Sequence, residues 1–385
     1  MTIKEKSDKY LVKSYARADV VFVRGDGSLL YDENGKEYID FGSGIAVNGF
    51  GIGDKEWIEE VYGQLKKISH VSNLYYSEPQ AELAEKLCVK SGMKKAFFSN
   101  SGAEANECAI KCARKYSFDK YGGNRNKIIT FDMSFHGRTM ETLSATAQDN
   151  LHNYFFPFSE GFKYSDKNIE SFLKTVDGNI AAVMTEFIQG EGGVVPMDKH
   201  FIKEVYEYCI QNDILFIADE VQTGNGRTGR MFAFEHYGIK PDIVTTAKGL
   251  GNGLPIGATL FGEKTAEVFT PGTHGSTFGG NPAICKGSSL IIDKINDELL
   301  NDVLKKEEII REELSKVNGI TLSGMGLMIG ITCKNNKQII EKCKEKGLIV
   351  LAAKDKIRLL PPLNISNSLL LRGLNILKEV LSSEV

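Results

Sequence analysis

Residues 94–132, "KKAFFSNSGAEANECAIKCARKYSFDKYGGNRNKIITFD", decide the fold. "KKAFFSN" is a short aromatic-rich run, residues 103–120 repeat their apolar positions at helical spacing, and "KIITFD" is again short and β-rich. Strand, helix and strand in so few residues imply a crossover connection, so the two strands run parallel in one sheet. The alternation continues along the chain. Helices are predicted over 55–69, 78–91 and 199–212, and strands in "AAVMTEFI", "ILFIADEV", "DIVTTAK" and "ATLFGE". The predicted class is α/β, with a mostly parallel sheet covered by helices on both faces. Ahead of it, "LLYDENGKEYIDF" sets two alternating runs around Asn34-Gly35 and reads as a β-hairpin. Beyond about residue 285, two long helical stretches, the runs "GLMIGITC", "GLIVLAA" and "IRLLPPL", and a last helix read as a smaller α+β lobe. The expected division is a hairpin segment over 1–50 that joins the small lobe, a large domain over 51–284 and a small domain over 285–385.

Composition narrows the partners. The formal net charge is -3, so no bulk field draws in nucleic acid or an anionic membrane, and a small metabolite is the expected ligand. No apolar stretch is long enough to span a bilayer, and the opening "MTIKEKSDKY" carries no hydrophobic segment, so the expectation is a cytoplasmic protein. The seven cysteines contain no C-x-x-C pair and are expected to be reduced. Cys108 and Cys112, four residues apart, read as small buried residues, and no metal site is expected.

In open sheets of this kind ligands bind beyond the carboxyl ends of the strands. Three such ends carry chemistry. In "FFSNSGAEANE" a strand stops at Ser99 and a helix begins at once, so Ser101, Gly102 and Ala103 can offer backbone N–H groups to a phosphate. The same residues also read as an ordinary cap, with Ser101 and Glu104 forming a capping box. In "ILFIADEVQTG" an apolar strand ends in Asp219 and Glu220, and Asp219 sits where a fixed charge is strongly felt. Such a pair also suggests the magnesium carboxylates of P-loop ATPases, but G-x-x-x-x-G-K-[ST] occurs nowhere in the chain. In "DIVTTAKGLGNGLPIGA" a strand leads to Lys248, and the glycines that follow read as close approach by a ligand or another chain. A dinucleotide loop is excluded there because Pro255 and a strand follow where a helix should begin. An amine, a buried carboxylate and a phosphate cradle on one sheet edge point to pyridoxal 5'-phosphate, whose aldehyde, ring nitrogen and phosphate need those three groups. Phe135 in "SFHGRT" then supplies a planar group for the ring.

Taken together, "NLYYSEPQAELAEKL", "NSGAEANECAIK", "FHGRT", "QGEGGVVP", "DEVQTGNGRTG", "AKGLGNGLPIGA" and "GTHGSTFGGNP" stand in an order that resembles the class III, fold-type I aminotransferases, over nearly the whole chain. The resemblance implies a large domain on a mostly parallel seven-stranded sheet with a smaller α+β domain. It makes Lys248 the lysine that condenses with the coenzyme aldehyde and Asp219 the partner of the pyridine nitrogen. Gly102 and Ala103 would hold the phosphate, Phe135 and Val221 the two ring faces, and Gln222 the ring oxygen. Thr277 would complete the phosphate site of a second subunit, with Ser276 beside the substrate, so a homodimer with shared sites is implied. Arg138 would take the donor carboxylate, and Arg358 the α-carboxylate of the keto acid, with Glu191 as its gate. The implied reaction moves the terminal amine of N2-acetyl-L-ornithine to 2-oxoglutarate in arginine biosynthesis. Ornithine, 4-aminobutyrate, succinylornithine and succinyldiaminopimelate are the alternative donors. A non-catalytic module on this fold would lack Lys248, Asp219 or Arg138, and all are present. The chain departs from the family at "GFGIGDKEW", where a G-H-x-H-P stretch is usual, and donor preference is open there.

Overall fold

The computed structural model describes residues 1–384. Seven short runs of apolar and β-branched residues form its main sheet: β1 Lys95–Ser99, β2 Lys127–Phe131, β3 Phe162–Ser165, β4 Ile180–Thr185, β5 Leu215–Asp219, β6 Ile243–Thr246 and β7 Gly257–Phe261. Their order is β1-β7-β6-β5-β4-β2-β3. The β2, β3, β4, β5 and β6 pairings are parallel, whereas β7 lies antiparallel to both β6 and β1. Six strands therefore end on the same edge of the sheet, and β7 begins there.

Neighbouring residues of the strands face opposite ways, and both faces are apolar. Ile129, Val183, Phe216 and Val244 join one core, while Ile128, Ala182, Ile217 and Ile243 join the other. The second core is closed by the helix Gly102–Tyr121 through Cys108, Ala109, Cys112 and Ala113, small side chains that let the helix approach closely. Cys108 and Cys112 are free and buried, and burial pushes the Cys108 thiol up to about 12. The expected helices form at Lys55–Lys67, Glu78–Ser91 and Lys199–Gln211. β3 has no counterpart among the strands read individually from the sequence. It is a four-residue edge strand with only one buried residue, too short and too exposed to show a pattern.

The second lobe is built on a sheet of Thr321–Met325, Met328–Thr332, Lys356–Leu359 and Leu351–Ala353, in that order. "GLIVLAA" is not one strand. It divides at Val350, so that Leu348–Ile349 runs parallel to Glu37–Asp40 of the amino-terminal hairpin while Leu351–Ala353 pairs with Lys356–Leu359. The helix Pro282–Lys294 packs with the large sheet's core through Cys285, Ile291 and Ile292, whereas the second lobe's own core joins Ile39 and Phe41 to residues from Val303 onward. Buried Arg227, in the loop after β5, donates from Nη1 to the carbonyls of Leu327 at 3.1 Å and Pro361 at 2.6 Å. It thereby ties the end of β5 to the strands that carry Arg358. Among the described residues no helix is long and apolar enough to cross a membrane.

Candidate active site

The three chemical strand ends meet. β5 is buried throughout and stops at Asp219, itself only 3% exposed. β6 stops at Thr246, and Lys248 opens a short 3-10 turn, Lys248–Leu250, with φ at 46°. A left-handed lysine is strained and persists only where its surroundings fix it. β1 stops at Ser99, and the helix beginning at Gly102 follows. All three border one cavity of about 440 Å³.

The first N–H groups of a helix have no partner within it, and those of Gly102 and Ala103 sit on the cavity wall. Ser101 still caps the helix, its Oγ accepting from the Glu104 N–H at 3.2 Å, while Glu104 accepts from the Asn100 N–H at 2.6 Å. Cap and cradle coexist. A Cβ at Gly102 would lie 2.6 Å from Val221 Cγ1, so only glycine leaves room for that valine beside the helix end. Phe135 lines the wall with Arg138, whose guanidinium lies 5.5 Å from the Phe135 ring centre. Gln222 lines it too. Near Val47, also on the wall, residues 43–46 form a left-handed turn, with φ of 47° at Ser43 and 67° at Ile45. Each such non-glycine residue costs about 1–2 kcal/mol. Buried Asp40 holds the turn by accepting from the Gly42 and Ser43 N–H groups at 2.8 Å.

Two of the glycines after Lys248 have a different cause from the one expected, while Gly253, with φ at 113°, borders the cavity. A Cβ at Gly251 would lie 2.0 Å from the Leu254 carbonyl oxygen, and one at Gly257 2.2 Å from the Ser101 carbonyl oxygen. The close approach is by the chain's own backbone, folding β7 back beside β1.

Arg358 and Glu191 come together across the two lobes, with Arg358 Nη1 2.6 Å from Glu191 Oε1 and 3.0 Å from Gln222 Oε1. Burial pushes Glu191 up, but the Arg358 charge and hydrogen bond outweigh it and hold the carboxyl below its usual range. Arg358 is buried, and its Nε has no partner. Lys248 lines the cavity. Burial lowers its pKa, with Arg358 adding to the fall and Glu191 and Asp219 opposing it. Ser276 and Thr277 are not part of this cavity. They border another, with Asn73, Tyr76 and His274.

Residues 10–381 match the family model described as aminotransferase class-III. The chain belongs to the class-III aminotransferases. It is 46% identical to the acetylornithine aminotransferase of Haemophilus ducreyi over 99% of this chain and 98% of the relative. It is 43% identical to the succinylornithine transaminase of Photorhabdus laumondii, over 93% and 92%. Among solved structures, the ornithine aminotransferase of Toxoplasma gondii, with PLP partially occupying its active site, superposes with a TM-score of 0.94 at 29% identity, covering 99% of this chain and 94% of that one.

Three polar residues of this aminotransferase's site escaped the reading of its sequence. His136 Nδ1 lies 2.7 Å from Asp219 Oδ2, and Asn106 Nδ2 donates to the same oxygen at 2.8 Å. Glu186 accepts from the Phe135 N–H at 2.8 Å and the Gly190 N–H at 3.2 Å, linking the Phe135 loop to the turn that carries Glu191. Burial raises the Glu186 pKa, with His136 opposing and Asp219 reinforcing. His136 and Asn106 stand inside the quoted "SFHGRT" and "NSGAEANE", beside residues that were read.

Glu220 is not a metal ligand beside Asp219. It turns into the protein, where Oε1 accepts from the Phe234 N–H at 2.8 Å and Oε2 from the Thr223 hydroxyl at 2.5 Å. Burial pushes it from the usual 4.5 up to about 7. Between those values the unfolded chain loses this proton while the folded one keeps it. Stability from this group is therefore full below pH 4.5 and falls as pH rises to 7, by about 3 kcal/mol. Glu186 slopes the same way. Glu220→Gln keeps both hydrogen bonds, with its amide donating to Thr223, and should roughly halve the fall in Tm from pH 5 to 8. An unchanged slope in melting curves would refute it.

Proposed function

We propose that the cavity binds pyridoxal 5'-phosphate and that the enzyme transfers the terminal amine of N2-acetyl-L-ornithine to 2-oxoglutarate. One observation carries this reading: a desolvated amine, a buried carboxylate and a bare helix start converge on a single cavity. The residues fit the coenzyme. Gly102 and Ala103 supply N–H donors at a helix end suited to a phosphate. Asp219 would hold a proton on the ring nitrogen, Phe135 and Val221 would flank the ring, and Gln222 would meet the ring oxygen. When bound, the coenzyme supplies an aldehyde that exchanges amino groups and a ring that accepts electrons from a breaking C–H bond.

The chain's residues do the rest. Lys248, held below the usual ammonium range, would move the proton between the substrate's amine-bearing carbon and the coenzyme carbon that takes up the amino group. Exposed Arg138, at the cavity wall, binds the donor's carboxylate through its planar fork. Arg358 binds the α-carboxylate of 2-oxoglutarate when Glu191 swings away, and pairs with Glu191 while the donor is bound. Two alternating half-reactions on one site give ping-pong kinetics.

Ser276 and Thr277 gain a role from a second copy of the chain. Around Ser276 and Thr277, in this cavity and the one beside it, Leu74, Tyr76 and Phe278 are 87%, 107% and 62% exposed, an apolar surface that a homodimer would cover. Thr277 would then reach the other copy's phosphate and Ser276 its substrate. The reading places the enzyme in arginine biosynthesis in the cytoplasm, with no nucleic-acid or membrane partner.

Support for acetylornithine comes from the similarity to relatives that carry that name, and the succinylornithine relative keeps the larger acyl group as the second reading. The deciding experiment assays acetylornithine, succinylornithine, ornithine and 4-aminobutyrate with 2-oxoglutarate, following glutamate. Acetylornithine should give the highest kcat/KM. A higher value for succinylornithine would move the assignment to the second reading, and no glutamate from any donor would end both.

A further inference from the structure

Asp219 can serve a ring nitrogen only if one carboxylate oxygen faces the cavity, and a chain of buried hydrogen bonds determines which one. Oδ2 accepts from His136 Nδ1 at 2.7 Å and from Asn106 Nδ2 at 2.8 Å. Oδ1 accepts only from the Val221 N–H, at 3.1 Å. A carboxylate oxygen has about two lone-pair sites, so Oδ2 is filled and Oδ1 retains one. Asn106 is itself fully engaged. It also donates to the His136 carbonyl at 2.7 Å, and its own Oδ1 accepts from the Thr245 hydroxyl at 2.6 Å. With both ends of the amide paired at 1% exposure, flipping it would set a donor against Thr245's hydroxyl hydrogen and an acceptor against two oxygens.

His136 alone would not fix the carboxylate. It sits on a loop anchored by its N–H to Thr146 Oγ1, and its Nε2 is buried without a partner. Asn106 approaches from another direction, on the helix Gly102–Tyr121, one turn beyond Gly102 and on the same face. The helix that offers its start to the phosphate thus also aims the carboxylate.

We propose that Asn106, pinned by Thr245, is a positioning residue that turns Asp219 so that Oδ1 faces the coenzyme nitrogen. The proposal rests on the coenzyme reading above. Asn106→Ala should slow both half-reactions by about 10- to 100-fold, the range for losing an outer hydrogen-bond partner of a charged ligand. It should leave the KM for 2-oxoglutarate within about twofold, because Arg358 is untouched. It should also speed loss of the coenzyme on dilution and alter the visible band of the bound coenzyme.

Thr245→Val, which frees the amide without emptying its space, should reproduce these changes in part, whereas Thr245→Ser, which keeps the hydroxyl donor, should behave as wild type. The Thr245 pair decides the matter if Asn106→Ala does not fold. A purely structural role would lower Tm and the amount of folded protein while leaving the band and the coenzyme's dissociation rate at wild-type values in what remains, and that result would overturn the proposal. Wild-type protein that takes up no coenzyme would overturn the underlying reading as well.

Discussion

Lys248→Ala is expected to cut turnover by about three orders of magnitude or more, at every pH and with every donor. General base catalysis alone is worth about 10²- to 10⁴-fold, and this amine also anchors the coenzyme. Lys248 is the only lysine among the cavity's lining residues, so no neighbour can substitute for it. Its burial, which lowers the amine's pKa, is a property of the position and not of the residue. The variant should still bind coenzyme weakly through the helix start at Gly102. It should yield no covalent adduct after borohydride, whereas the wild type should carry the adduct on the peptide containing residue 248. Unchanged glutamate formation would remove Lys248 from the chemistry.

Asp219→Asn should have the second largest effect, about 10²- to 10³-fold on both half-reactions. The substitution is nearly isosteric, so the cause is charge. Removing one member of a buried charged pair costs about 3–5 kcal/mol, and each 1.4 kcal/mol is tenfold in rate. The local pattern adds to the loss, because an amide nitrogen turned toward His136 and Asn106 meets donors, whereas an amide oxygen turned toward them presents the nitrogen to the cavity. Either orientation leaves the ring nitrogen without an anion. Single-turnover rates for donor and acceptor should fall together. A variant that keeps more than about a tenth of wild-type activity would show that the ring nitrogen is held by something else.

Much of this was legible in the amino-acid order. Strand-helix alternation announces crossovers, and an apolar run ending in one charged residue marks the edge where ligands bind, as "ILFIAD" and "DIVTTAK" do. What was not legible has physical reasons. Direction leaves no trace in periodicity, so antiparallel β7 looks like its parallel neighbours. Gly257 answers to the distant Ser101 backbone and Gly251 to Leu254 three residues on, and a run of glycines looks the same in sequence as room for a ligand. The break at Val350 falls within a continuous apolar run, and only the two different partner strands reveal it. Asn106 reads as an unremarkable polar residue on a helix until Asp219, more than a hundred positions later, is placed against it. Glu220 shares Asp219's strand end, yet alternation sends it the opposite way.

The pairing pattern also sets a timetable for biosynthesis. Phe97 emerges from the ribosome long before Thr259, the residue it must pair with, and Ile39 waits for Leu348. Contacts so distant in sequence close slowly, and an aromatic edge segment left single in the meantime invites association with other nascent chains. The large sheet is therefore closed only once Gly257–Phe261 has been made, and the second lobe only once Leu348–Ile349 has, so folding of this enzyme waits on segments far downstream of the ones they cover.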